Sequence, residues 1–585
     1  MRQTRQSRPW RIAAVLGGVA FAGYLIFGSF GQSQSTVNLG TAKITAQPTG
    51  QIQAQVGVAQ PNSGGGETFH AAGTPKAMSA AKQAARQAHE EARERAFMAR
   101  AAALPASDPR VPATPAPRLS ALNPKVAGNL IGASAVPPGA NGSMNVFRVT
   151  EIDPPAGFAS SVGEPAAAQN GKHVFETWNW FAARSSNGGA SFTLIDPETY
   201  GPAMPDFCCD QDVIYDKGGD TFIWERMGIG DVGSATNHFN RVLLNISPDA
   251  FITNSCSYTV TPGFFGLTNA FLDYPRVSLS DKWFYISFNV FSFNGTSIGG
   301  YLTHALVRLD LDSMGNCAGA TFNTWTFPDG WSPAMVENAK EIMYIGDQIV
   351  TSTGLNNTFR VSWIFDDSTT LNFVDRTIAS YQFTSGNAVC PVPGGANPCA
   401  RADQRVVGAA VVHNTPSPNA LGGAGDKVDF FWNVAQGNGF PVPYTESATF
   451  QGQTIQYTTR KLLAYNPDTL FYTAVGANDR QHSMITAFWF NPGQAVRMIF
   501  GIDDDFNGNA NAGWEVWQTG GATSTANWTA NNSGDYLRAR QHSPVGTGWI
   551  FTGLNRNAAA AEYRPVYSVW GRGRDLDGFN RFDQQ

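Results

Sequence analysis

Arg480-Gln-His-Ser483 and Arg540-Gln-His-Ser543 carry the same tetrapeptide 60 residues apart. Each copy leads into an aromatic strand, Ala487-Phe-Trp-Phe490 after the first and Trp549-Ile-Phe-Thr552 after the second. A fixed period of this length marks a repeat architecture. Looser relatives of the same opening occur at Glu164-Pro-Ala-Ala-Ala168, Cys209-Asp-Gln-Asp-Val213, Asp273-Tyr-Pro-Arg-Val277, Trp331-Ser-Pro-Ala-Met335 and Asp403-Gln-Arg-Val-Val407. With Ala166, Asp212, Arg276, Ala334, Arg405, Arg480 and Arg540 as equivalent anchors, the spacings are 46, 64, 58, 71, 75 and 60. One four-stranded blade with variable loops fills such a unit. Seven anchors predict an all-β, seven-bladed β-propeller over residues 146–585, with six blades as the alternative. The last unit is one strand short, and the strand-like Asn145-Val-Phe-Arg-Val-Thr-Glu-Ile152 precedes the first anchor. It is expected to supply the fourth strand of the last blade and so close the ring, which removes open edges.

Composition agrees with this reading. Charged residues are 15% of the 585, against about 25% in an average soluble domain. There are 61 Gly, and aromatics are 12%. Few charges with many Gly and aromatics suit short strands and tight turns. The net charge of −5 offers no basic face, so nucleic acid is excluded as a partner.

The first 145 residues read differently. Arg2, Arg5, Arg8 and Arg11 precede an uncharged apolar run from Ile12 to Phe30. That length suits a signal-anchor crossing the membrane at residues 12–30, with a cleaved signal peptide as the alternative. Either way the basic flank stays inside and the remainder is exported. Residues 31–145 are rich in Ala, Pro, Gln, Gly and Ser. They read as a low-complexity spacer, with one helix over 76–103 between Pro75 and Pro105. The helix either lifts the propeller off the membrane or docks a partner.

Ser185-Ser-Asn-Gly-Gly-Ala-Ser-Phe192 fits the pattern Ser-x-Asp-x-Gly-x-Thr-Trp, with Asn, Ser and Phe as replacements. This resembles the Asp-box of sialidase-like (BNR-repeat) propellers. The resemblance implies that Ser185, Asn187, Gly189 and Phe192 build a hairpin turn between a blade's two outer strands, a structural role. A second, decayed box is Gly315-Asn-Cys-Ala-Gly-Ala-Thr-Phe322. The resemblance further implies a glycan-directed protein, a glycoside hydrolase of exo-sialidase type or a carbohydrate binder. The alternative is a non-catalytic scaffold propeller, tethered to the membrane, that binds protein partners.

Equivalent anchors converge at one mouth of the channel. Arg276, Arg405, Arg480 and Arg540, with His482 and His542, are the candidate ligand-binding residues. Arg gives bidentate, permanently charged recognition of carboxylates. Sialidases hold a sugar carboxylate with three Arg, use a Tyr–Glu nucleophile pair and use an Asp as acid. By resemblance Asp212 is the candidate acid, Tyr536 or Tyr274 the nucleophile, and Glu337 its partner. The competing reading is that Asp and Arg pair between blades and stiffen the ring.

Asp503, Asp505, Asn507 and Asn511 space their oxygens like a Ca2+ loop, although Trp514 stands where a closing Glu is needed. A structural Ca2+ site and an ordinary Asp/Asn/Gly turn both fit. Six Cys in an exported chain suit disulfides. Cys390 and Cys399 bracket a Pro-rich loop that a disulfide would staple. Cys256 with Cys317, and the vicinal Cys208–Cys209, are one completion among 15 pairings.

Overall fold

The protein is described by a computed structural model. It places residues 50–62, 67–68, 84, 88, 92, 95, 144–154, 163–247, 254–327, 332–349, 356–381, 388–390, 392, 397–400, 402, 405–415, 425–434, 444–451, 455–463, 469–491, 494–503, 515–518, 537–557 and 562–575. The membrane-address segment 12–30 lies outside them. In the 76–103 segment, the described positions Ala84, Ala88, Ala92 and Arg95 are helical. Among the described residues, no helix is long and apolar enough to cross a membrane.

Seven antiparallel sheets form a seven-bladed β-propeller. Blade 1 runs Ala166–Asn170, His173–Thr177, Ala182–Ser185 and Thr193–Ile195. Blade 2 runs Phe207–Asp216, Thr221–Gly228, Val242–Ser247 and Asn254–Val260; blade 3 runs Ala270–Leu279, Trp283–Phe293, Ile298–Asp310 and Ala320–Phe327. Blade 4 runs Ala334–Met335, Ile342–Ile349, Asn356–Phe365 and Thr370–Tyr381; blade 5 runs Val406–Thr415, Gly425–Val434, Tyr444–Gln451 and Gln456–Leu463. Blade 6 runs Thr469–Ala477, Ser483–Asn491, Gln494–Asp503 and Glu515–Gln518. Blade 7 takes Ala539–Gln541, Trp549–Asn557 and Glu562–Arg572 from the C-terminal end, and Met144–Glu151 from upstream as its outer strand. Thr150 pairs with Tyr567 and Val149 with Ser568, so the ring closes where the sequence placed the closure.

The core lies between blades. The alternating strand pattern gives each blade two faces, and aromatic rings fill the wedges. Phe175 meets Trp224 between blades 1 and 2 at 5.1 Å. Phe359 meets Phe430 and Trp432 between blades 4 and 5 at 5.2 and 5.5 Å. Phe500 stacks on Trp570 between blades 6 and 7 at 4.0 Å. The six cysteines form Cys208–Cys209, Cys256–Cys317 and Cys390–Cys399. The second of these joins blade 2 to the Gly315–Phe322 turn of blade 3.

The spacer reading needs one correction. Gly50–Gln53, Gln55–Ala59 and Glu67–Thr68 are strands that add a fifth position to the rims of blades 4, 3 and 2 in turn. This strap runs against the order of the blades. The signal was present in Gln51-Ile-Gln-Ala-Gln-Val-Gly-Val58, a strict period-two alternation. The segment has too few large apolar groups to form a core. The blade rims satisfy its backbone instead. Gly57 lies against the Phe322 ring, where an added Cβ would stand 2.4 Å from a ring carbon. Gly57→Val is therefore expected to speed amide exchange in Gln55–Ala59 by about tenfold or more, since forced overpacking costs ~1–3 kcal/mol. Exchange protection in the inner strands should not change.

Candidate functional site

Inner strands of a propeller face one channel, so their in-pointing residues meet whatever their separation in sequence. Here an acid from blade 2 and two guanidiniums from blade 7 form a triad. Asp212, fully buried, accepts from Arg538 Nε at 2.8 Å and from Arg540 Nη2 at 3.0 Å. It also accepts from the Val213 backbone N–H at 2.8 Å. Arg540 further donates to the carbonyls of Val213 and Ala167, and its Nε lies 3.5 Å from Glu337 Oε1 of blade 4. Arg276 of blade 3 donates to the blade 5 carbonyls of Val406 and Val407 at 2.6 and 3.0 Å. Arg405 places its guanidinium 4.6 Å from the Tyr274 ring centre.

Tyr274 and Tyr472 hold left-handed backbone, with φ of 52° and 55°, at bulges in the inner strands of blades 3 and 6. Such strain in bulky residues persists only where the surroundings over-determine it. Bulges also re-aim side chains beside functional sites. Part of the surrounding support comes from buried Asn side chains. Asn433 Oδ1 takes the Tyr472 N–H at 2.9 Å, and Asn240 bonds both backbone groups of Leu272.

The two axial carboxyls are driven apart. Burial pushes Asp212 up, but Arg538 and Arg540 outweigh it and hold the group below the ordinary carboxylate range. Burial pushes Glu337 up, and this outweighs the opposing charges of Arg540 and Arg538. Paired groups with opposed shifts are the usual material of acid–base chemistry. The sequence-based role of Asp212 as acid is thus corrected. A carboxylate clamped by two guanidiniums keeps its charge and has no proton to give. Glu337 is the axial carboxyl suited to hold one.

Burial lowers Arg276 to about 10, so it remains a cation at neutral pH. An empty space of about 310 Å3 separates Arg276, Glu337 and Arg538 from the backbone of blades 5, 6 and 7. It leaves room for little more than one water between the side chains.

The other expected residues fall as follows. Arg480 is not axial: it sits in the exposed turn between the first two strands of blade 6, and His482 lies in the same turn. The two Arg-Gln-His-Ser copies are therefore out of register. One ends an inner strand and the other follows one. His542 is buried at the end of the blade 7 inner strand, and burial lowers it to about 3, so it stays neutral. Tyr536, Asp505, Asn507 and Asn511 lie outside the described residues. The backbone of Asp503 pairs with Ser483. Among the described residues, no His, Cys, Asp and Glu cluster suits a metal ion.

The Ser185–Phe192 turn joins the outer strands of blade 1. Ser185 Oγ accepts from Gly189 N–H at 2.9 Å, Asn187 Oδ1 accepts from Ser191 N–H at 3.0 Å, and Phe192 meets Tyr567 edge-on at 5.8 Å. Arg538 was underweighted by the repeat search. Its signal is its place two residues before Arg540, on the same face of a strand.

No family model matches the chain, and no curated protein does. Solved structures do resemble it. An α-L-arabinofuranosidase of Fusarium graminearum, solved with an iminosugar inhibitor, is 9% identical, with 74% of this chain and 99% of that one covered at a TM-score of 0.34. The polysaccharide lyase Uly1 is 10% identical, with 70% and 89% covered at 0.39. A Trypanosoma rangeli sialidase with the inhibitor DANA is 9% identical, with 61% and 54% covered at 0.30. All three superpose loosely. The propeller assignment rests on the strand pairing of this chain, and it meets the expectation drawn from the sialidase-like resemblance.

Proposed function

We propose that this is a glycan-directed propeller whose axial site takes the carboxylate of an acidic saccharide. The observation that carries the reading is the charge at the axis. Arg276, Arg538 and Arg540 gather there, and Asp212 is the one carboxyl held firmly ionised beside them. Two guanidinium nitrogens of Arg276 bind carbonyls, and its remaining N–H groups suit a bidentate anion. If the site is hydrolytic, Glu337 is the proton donor. A sialidase-type arrangement built on Arg480 and an acidic Asp212 is not part of this proposal.

The test is calorimetric titration with sialic acid, a galacturonate oligomer and a neutral arabinan oligomer. Acidic ligands are expected to bind, and Arg276→Met should weaken them at least tenfold. Equal binding of the neutral oligomer, or no acidic ligand binding at all, removes the reading.

One observation favours a second reading, a non-catalytic scaffold that binds protein partners. Arg538 and Arg540 both direct donors at Asp212, and Arg540 at backbone carbonyls as well, so their charges also serve to join blades. The proposal includes export, with residues 12–30 as anchor or cleaved signal. Pairing of all six cysteines supports an oxidising compartment. Mass spectrometry of the mature N-terminus decides between anchor and signal.

A further inference from the structure

The strap contacts the propeller at three registered points. Gly50 lies against Phe373 of blade 4, and Gly57 against Phe322 of blade 3. An added Cβ would stand 2.2 and 2.4 Å from the respective ring carbons. On blade 2, Asn62 donates from Nδ2 to Ser257 Oγ at 2.9 Å and Thr259 Oγ1 at 3.0 Å, and its backbone N–H reaches Ser257 O at 2.8 Å. Two glycines seven residues apart are thus matched to the spacing of two adjacent rims, and an amide to a third. A strand of unrelated sequence does not carry that pattern. The same segment of another copy does.

The strap is also lightly held. Ala59 is the buried apolar side chain among its described residues, whereas Val56 and Val58 are 61% and 56% exposed. Backbone pairing, rather than apolar burial, keeps it in place. Elements of this kind open at low free energy. Between Thr68 and Met144 lie 75 residues of chain. A flexible connection that long gives the strap an effective local concentration on the order of millimolar or less, within reach of competition by neighbours crowded on one surface.

We propose that the rims of blades 2, 3 and 4 form a homotypic strand-acceptor site, on which the strap of a second copy docks in exchange for the resident one. Exchange of identical elements keeps every contact and closes a two-fold dimer.

The test uses the full chain. Val58 and Thr321 are register partners, and both are exposed. Val58→Cys and Thr321→Cys are made in separate chains, mixed at high concentration and oxidised. The double variant in one chain sets the yield for correct register in cis. Val58→Cys mixed with Thr193→Cys, on the exposed outer strand of blade 1, sets the background of random coupling. Covalent heterodimer at least tenfold above that background is the expected result. A matched mixture that gives no more heterodimer than the mismatched one overturns the proposal.

Discussion

Asp212→Ala will lower the unfolding free energy by about 3–5 kcal/mol, the cost typical of removing one partner from a buried ion cluster. The loss exceeds that of the contacts themselves. Arg538 and Arg540 are about 95% buried and each aims a donor at Asp212. Without it, two guanidiniums repel each other in a poorly solvated channel. They also belong to blade 7, where the chain ends meet, so the damage falls on ring closure. Asp212→Asn should recover little, because an amide oxygen carries no charge. Urea denaturation at pH 7 measures the effect. A change of under ~1 kcal/mol, the scale of a surface ion pair, would show that the triad is not an axial staple. The pH sign follows from the lowered folded-state value. The carboxylate's contribution is complete above the unfolded-chain value of about 3.9. It is lost as pH falls through the folded value.

Glu225→Gln and Glu176→Gln will stabilise the protein at pH 7 and leave it nearly unchanged at pH 4. Both side chains are buried, on the second strands of blades 2 and 1, facing Asp212 and Ala167 across the sheet. Burial pushes Glu176 well up, and neither carboxyl oxygen has a partner among the described residues. Burial does the same for Glu225, helped by the charges of Asp212 and Asp210. A raised folded value means that stability is complete below the unfolded-chain value of about 4.3 and falls as pH rises toward the folded one. Over that window each Glu costs about 1.4 kcal/mol per pH unit relative to Gln. Unfolding midpoints at pH 4.5, 6 and 7.5 should therefore diverge between wild type and each variant. A difference that does not change with pH means that the carboxyl is already charged in the folded state.

Much of the architecture was legible because blades are local. Each strand pairs with its neighbour in sequence, and the alternation and turns that specify it lie within about 60 residues. Ring closure was legible for a related reason: one blade lacked a strand and one strand lacked a blade. The cysteine pairs followed from loops and from neighbouring blades. The strap was missed despite its clean alternation, because its Gln, Ala and Gly content resembled that of the spacer around it.

The axial site was only partly legible. Arg276, Arg540, Asp212 and Glu337 were named from one repeat position and do converge. Arg480 was named from an identical tetrapeptide and does not converge, since three residues of register separate a channel wall from a surface turn. Sequence by itself determined the blade count, the closure and the kinds of residue facing the axis. Those depend on hydrogen-bonding and hydrophobic patterns written along each segment. Tertiary structure alone decided which carboxyl is clamped and which is free to hold a proton. That distinction arises from burial and from charges contributed by blades more than 300 residues apart in the chain, as Asp212 and Arg538 are.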